Sequence, residues 1–380
     1  MRSRKDYKLR SGEVHQWALS RLFEAKLTKD HGWFCSAVMV LNIVLRAAAR
    51  SFSISAACRD LSKAPTGEAV MTAIEEGLPK TRLVLENRIN QALIGAWPKS
   101  LKRRAWRVAI DYHEVPYYGQ PQKTKNQFRR SKPKQGTSKF HTYATACIVQ
   151  HGRRYTIALT WVRASDSMVN VLGRLIQRIR DLGLKIKCLL LDRAFFNIPV
   201  ISWLKGERLK FLMPVVIRGR RPKPGRKATG LRWILRQKAG WYSHTMKHKK
   251  QEVAVSICVG YRTHKNRKDK KRKQQKLLFA AWGVRGTPTE IRERYRKRFG
   301  IETSYRQLRQ AKIFTCTRDP HLRLFFVGVG LVLRNLWVWL HHTRLSEGRE
   351  PDIRVHLERL RFKQMLEWIN HEIVILLDDS

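Results

Sequence analysis

Negative charge is what this sequence has least of. Its 380 residues hold 29 Asp and Glu against 78 Lys and Arg, a formal net charge of +49 with histidine neutral. A surface of that sign repels itself until a polyanion neutralises it. This argues against an ordinary small-molecule enzyme and makes nucleic acid the first partner, a membrane surface the second. Paired cysteines are missing too. Cys35, Cys58, Cys147, Cys188, Cys258 and Cys316 never stand in a Cys-x-x-Cys spacing and form no Cys/His cluster. That argues against a secreted disulfide scaffold and a zinc site, and favours buried, reduced thiols. No long apolar run is uninterrupted. Leu322 to Leu340 is broken by Arg323, Arg334 and Asn335 and reads as a buried core helix, not a membrane span. The basic start, Met1 to Lys5, is not followed by an apolar signal core. The chain is nonetheless 43% hydrophobic and 9% aromatic, enough to bury a core, so the charge belongs to a folded protein.

Residues 1–100 read as helical. Trp17, Leu19, Leu22 and Phe23 recur at helical spacing, and Val38 to Ala49 is apolar and rich in alanine. Residues 53–77 read helix, break, helix, with the break at Ala64-Pro65-Thr66-Gly67. This is either a helix-turn-helix or a plain helical hairpin, and Glu68, Glu75 and Glu76 are poor company for phosphates. From Trp106 the texture becomes strand-like. Trp106 to Tyr112 carries Asp111 at its end, and Pro121 to Lys139, with seven basic residues and no acid, reads as a loop. Phe140 to Gln150 and Arg153 to Val162 read as a hairpin turning at His151-Gly152. Helical period marks Ser167 to Leu182, stopped by Gly183. Ile186 to Leu191 reads as a buried strand ending at Asp192, followed by a helix from Ile198 to Lys205 and a strand from Phe211 to Ile217. Basic runs Arg218 to Lys227 and Lys265 to Lys276 flank strand-like pieces at Val253 to Tyr261 and Leu277 to Val284, and a helix carrying Glu302 resumes at Thr289.

With acids so scarce, those beside buried strands stand out. A carboxylate just past a strand of an α/β sheet lies at the edge where ligands collect. Asp111 and Asp192 are two such groups, and Glu302, on a later helix flanking the sheet, can join them. Divalent cations would relieve their repulsion, and two metals about 4 Å apart support in-line phosphoryl displacement. Any one of these acids could equally be a strand-end turn residue.

The stretch Tyr295-Arg296-Lys297-Arg298-Phe299-Gly300-Ile301-Glu302-Thr303-Ser304-Tyr305-Arg306-Gln307-Leu308-Arg309 is more specific. It resembles the Y-(2)-R-(3)-E-(6)-K signature of DDE transposases from the IS-four-like group of bacterial and archaeal insertion sequences. Tyr295, Arg298 and Glu302 fall on the pattern, and Arg309 stands in the lysine position, replacing a point charge by a planar fork. Ala109-Ile110-Asp111-Tyr112-His113 resembles that family's first-Asp strand, and Leu189-Leu190-Leu191-Asp192-Arg193-Ala194-Phe195-Phe196 its second-Asp motif.

The resemblance covers roughly residues 105–340. It implies an α/β fold: a ribonuclease-H-like mixed sheet with flanking helices, a strand-rich insertion between the second Asp and the Glu, and a helical N-terminal region. The expected divisions are a DNA-binding region at 1–100, the first part of the core at 101–217, a basic insertion at 218–287, the Glu-bearing helix and its successor at 288–345, and a helical tail at 346–380. It implies that Asp111, Asp192 and Glu302 are catalytic and bind two Mg2+, with Mn2+ able to substitute. Tyr295, Arg298 and Arg309 would hold DNA phosphates, on one helix face by their spacing, with Arg193 and Lys312 as further DNA contacts. His113 and Glu114 are either supporting groups or loop polar residues. Some relatives stack a flipped base on a tryptophan near the position of Lys276. Trp233, Trp241 and Trp282 are the nearest here, with core packing the plainer role for each.

The expected function is a transposase acting on double-stranded DNA, element ends and target, by cut-and-paste. It would work as a homodimer in the synaptic complex, in the prokaryotic cytoplasm at the nucleoid and away from membranes. Two alternatives remain at this stage: a nuclease or resolvase of the same fold without strand transfer, and a catalytically silent DNA-binding descendant.

Overall fold

A computed structural model describes residues 9–95, 97–120, 127–149, 154–265, 272–346 and 355–378. The expected turn at His151-Gly152, the start at Met1 to Lys5, and parts of the basic runs, at 121–126 and 266–271, lie outside them. In chain order the elements are α1 (Ser11–Glu24), α2 (Ala37–Arg50), α3 (Ile54–Arg59), α4 (Gly67–Gly77), α5 (Arg82–Gly95), β1 (Ala105–Pro116), β2 (Arg129–Lys134), β3 (Thr137–Ile148), β4 (Thr156–Val162), α6 (Met168–Asp181), β5 (Lys185–Leu191), α7 (Ile198–Gly206), β6 (Phe211–Pro214), α8 (Gly230–Ile234), β7 (Gly240–His248), β8 (Gln251–Lys265), β9 (Arg272–Trp282), α9 (Pro288–Arg296), α10 (Phe299–Leu308), α11 (Pro320–Thr343) and α12 (Phe362–Asp378). They fall into two compact units. The first comprises Met1–Arg103, Tyr112–Asp166 and Glu302–Ser380, the second Arg104–Asp111 and Ser167–Ile301.

Local chemistry starts most helices. Ser36, Ser53, Thr66, Ser167 and Asn197 each accept a backbone N–H three residues on, satisfying one of the donors a helix start leaves bare. Thr287 and Glu290 close a reciprocal capping box at α9. In α6 the buried stripe is Val171, Leu172, Leu175, Ile176 and Ile179, and Gly183 follows at φ +67, a left-handed stop.

In the first unit α11 is the central helix. It is apolar and long enough to span a membrane, but its most apolar window is 89% buried inside the fold. Two glycines let its neighbours close in. A Cβ on Gly328 would lie 2.8 Å from Ile89 of α5, and one on Gly330 2.6 Å from Leu308 of α10. Strand β3 pairs antiparallel with β2 along Thr137 to Phe140 and with β4 along Thr142 to Cys147. The far side of β4 is closed by side chains. Asn90 Nδ2 donates to the Leu159 carbonyl at 2.9 Å while its Oδ1 accepts the Leu159 N–H at 2.8 Å. Asn335 brackets Thr156 in the same way, at 2.8 and 2.9 Å. Glu86 accepts the Trp161 N–H at 2.8 Å. An otherwise bare strand edge is thereby satisfied inside the core. Helix α12 ties down the α3–α4 link, where Lys63 N–H donates to the Leu377 carbonyl and Ser62 N–H to Asp378 Oδ1.

The second unit is built on a mixed sheet in the order β1-β5-β6-β9-β8-β7. Strands β1, β5 and β6 run parallel, and the pairs from β6 onward are antiparallel. Cys188 to Leu191 are all buried, the mark of a central parallel strand.

Several expectations need correction. Asp111 does not end its strand, because β1 continues to Pro116. Arg129 to Lys134, expected in a loop, form β2; Gln135 and Gly136, at φ +52 and +78, make the two-residue turn that joins it to β3. Strand β6 stops at Pro214, three residues before the expected Ile217. Strand β7 was not anticipated, because its exposed edge alternates without an apolar run. The helix after Thr287 is not continuous. Arg298, Gly300 and Ile301 donate to Tyr295, Lys297 and Arg298 carbonyls three residues back, a tightened turn that separates α9 from α10. Tyr295 lies in α9, Arg298 in this turn, Glu302 in α10 and Arg309 in the 3-10 turn after it, so no one continuous helix carries all four, as the spacing had implied.

Candidate active site

Neighbouring strands position the first two acids. In the parallel β1–β5 pair Ile110 stands opposite Leu191, so Asp111 and Asp192 follow at the same level. The tightened turn after α9 points Arg298 at both. Its Nη2 lies 2.8 Å from Asp111 Oδ2 and 4.0 Å from Asp192 Oδ1. The Arg298 side chain is 5% exposed, whereas that of Asp192 is 45% exposed. One buried cation thus stands between two carboxylates, and one of these opens to solvent. Arg193, in the short 3-10 turn after Asp192, is exposed. Tyr295, expected on phosphate, is buried and packs its ring on Phe279 at 5.2 Å.

The remaining candidates lie in the first unit. Glu302 is half-buried in the first turn of α10. His113 stacks on Tyr305 at 4.7 Å, and the Tyr305 hydroxyl lies 2.6 Å from that of Thr145. Burial first, and then Arg309, push the His113 pKa down to about 4, so it is a neutral imidazole at pH 7. Glu114 pairs with Lys134 at 2.5 Å. Arg309 and Lys312 are exposed at their surfaces, and the Lys312 pKa is lowered by burial, then by Arg323 and Arg309. This is a concentrated patch of positive charge.

Two tryptophans are not core residues. Trp233 and Trp241 are 48% and 36% exposed, because α8 and the edge strand β7 leave one side in solvent. Lys276 is already engaged, donating to the Arg236 and Gln237 carbonyls. Sequence reasoning missed the pairing of Arg298 with the aspartates. The available signal was that acids so outnumbered by bases find basic partners.

Residues 102–333 match the family described as Transposase DDE domain. The chain belongs to this DDE transposase family. A solved structure described as the piggyBac transposase synaptic complex with hairpin DNA, from cryo-electron microscopy, is similar in fold. Its TM-score is 0.54 over 96% of this chain and 77% of that one, at 11% identity. The architecture fits the ribonuclease-H-like mixed sheet with flanking helices. No curated protein matches the chain in sequence.

DDE transposases use divalent metal ions. Asp111 and Asp192 fit one, since they are hard oxygen donors turned toward a point where a cationic group already stands. Among the described residues no group of three or more His, Cys, Asp or Glu is gathered for a metal.

Proposed function

We propose that the chain is an insertion-sequence transposase of the IS-four-like group, which cuts double-stranded DNA at its element's ends and joins the freed 3′ hydroxyl to target DNA. The observation that carries the reading is a DDE transposase domain whose two aspartates, on adjacent parallel strands, share one cationic partner. Asp111 and Asp192 hold the metal, with Glu302 as the third carboxylate. When bound, two Mg2+, or Mn2+ in their place, activate the attacking oxygen and stabilise the leaving one. The rest belongs to the chain's own groups. Arg193, Arg309 and Lys312 neutralise DNA phosphates, with Arg298 and Tyr295 completing the Y-R-E-K signature, and the +49 charge holds a long DNA path in a salt-dependent manner. The neutral His113 packs on Tyr305 and keeps a further charge out of that region. The similar piggyBac structure is a synaptic complex with hairpin DNA, which supports a DNA substrate; a homodimer acting on paired ends, at the nucleoid in the cytoplasm, completes the reading.

Asp192→Asn tests the reading. It should leave DNA binding in place and abolish strand cleavage in magnesium. Cleavage by that variant would sink the assignment. An assay for joined product separates transposition from simple nuclease activity.

A further inference from the structure

We propose that Arg298 is a built-in counter-ion, holding the cation position between Asp111 and Asp192 until DNA draws it away, so that DNA binding and metal loading are coupled. This rests on the active-site reading above and assigns Arg298 a role that reading does not contain.

Three observations carry it. The first is position: a single guanidinium nitrogen lies 2.8 Å from Asp111 Oδ2 and 4.0 Å from Asp192 Oδ1, the two carboxylates that would hold a divalent ion. Two cations cannot share that space without mutual repulsion, so Arg298 and metal compete. The second is burial. With 5% of its side chain exposed, Arg298 faces the aspartates and not solvent, so it cannot contact a phosphate and neutralise the pair at once. The third is chain geometry. Arg298 lies in the tightened turn between α9 and α10, outside either helix, where one side chain can re-aim without unwinding a helical turn. Guanidinium stays charged at any working pH, so the exchange is driven by ligand and not by a proton. A phosphate that takes Arg298 removes this competing cation from both carboxylates. By linkage, DNA must then raise metal affinity by the factor by which metal raises DNA affinity. Such a protein leaves its hydrolytic centre unloaded until DNA is present.

A merely structural ion pair makes the opposite prediction. If Arg298 only positions Asp111, its removal should weaken metal binding or leave it unchanged.

The test is Mn2+ titration of the full-length, DNA-free protein by calorimetry. Arg298→Gln should bind Mn2+ about ten- to a hundredfold more tightly than wild type, the range expected for losing a charge-assisted competitor. A generic duplex of about two helical turns should tighten Mn2+ binding to wild type and add little in R298Q. Mn2+ binding to R298Q no tighter than to wild type, or equal tightening of both by duplex, overturns the proposal. If R298Q does not give a cooperative melt, Arg298→Lys replaces it. Its point charge cannot span both carboxylates, so Mn2+ affinity above wild type is expected, and affinity at or below wild type overturns the proposal. Asp192→Asn keeps the two levels apart. Loss of Mn2+ binding in D192N with none gained in R298Q removes the counter-ion role alone. Undiminished binding in D192N removes the active-site reading itself.

Discussion

Two clusters of polar side chains, one in each unit, make a controlled comparison. At the edge of β4, Glu86, Asn90 and Asn335 are buried, and each pairs with backbone groups of the strand. The two amides carry no charge, and the one carboxylate, Glu86, accepts a backbone N–H and attracts the Arg82 guanidinium. Between β1 and β5, two carboxylates face the Arg298 guanidinium, and one of them, Asp192, is 45% exposed. The first cluster is finished and stabilises the fold. In the second a carboxylate opens to solvent, where a ligand can reach it. Burial and hydrogen bonding alone do not separate a structural cluster from a functional one. What the charged groups face does: backbone in the first, another charge beside solvent in the second.

The comparison can be broken from either side. The largest effect is expected at the cluster open to solvent. Asp192→Asn should lower magnesium-dependent cleavage by about a thousandfold or more, a loss of roughly 4 kcal/mol of transition-state stabilisation. Thermal melting should show no matching loss of stability, since the variant removes one of two like charges. At the enclosed cluster the result should invert. Asn335→Leu strips Thr156 of both backbone partners and should cost about 2–4 kcal/mol in denaturant unfolding, while the folded fraction keeps its cleavage rate.

A third effect is graded by pH. Burial, with Arg323 and Arg82 behind it, lowers the His141 pKa to about 3, and burial first lowers those of His113 and His341 to about 4. These histidines are neutral when folded and take a proton near pH 6.5 when unfolded. Their stabilisation is complete above about pH 6.5 and is lost as pH falls toward each folded value, by about 1.4 kcal/mol per histidine per pH unit. Unfolding curves between pH 6.5 and 4.5 should steepen accordingly, and His141→Phe should remove one histidine's share of the slope. The smallest effect is expected at Glu114. Its pair with Lys134 is more than half exposed on the lysine side, so Glu114→Gln should change stability by less than about 1 kcal/mol, and less still in high salt.

Legibility in the sequence followed periodicity. The α6 stripe, the buried run of β5 and the apolar α11 were readable because packing writes itself into hydrophobic spacing. Helix α5 was visible only as part of a helical region. It turns Glu86 and Asn90 inward to the β4 edge, which erases the amphipathic pattern of an ordinary surface helix. Strand β2 hid in a basic run because both its faces are polar. At the candidate site, Asp111 and Asp192 could be found from their strands, since a carboxylate after Leu190-Leu191 or Ala109-Ile110 has no place in a core. The turn at Lys297–Arg298 could not. Residues 295–308 carry helix-compatible spacing throughout, and only the i to i−3 hydrogen bonds reveal the break that directs Arg298 inward. A motif fixes which residues belong together; the backbone decides what each one faces.

The side-chain clamps on β4 have a further consequence for self-association. Many copies of a strongly cationic chain gathered on one polyanion lose the mutual repulsion that would keep them apart. Exposed strand edges then become places where neighbours add to one another's sheets. At β4 the backbone groups of Thr156, Leu159 and Trp161 are already taken by Asn335, Asn90 and Glu86. Crowding along DNA therefore finds no template on that edge. The two amides and one carboxylate that complete the fold also limit how copies can stick to each other.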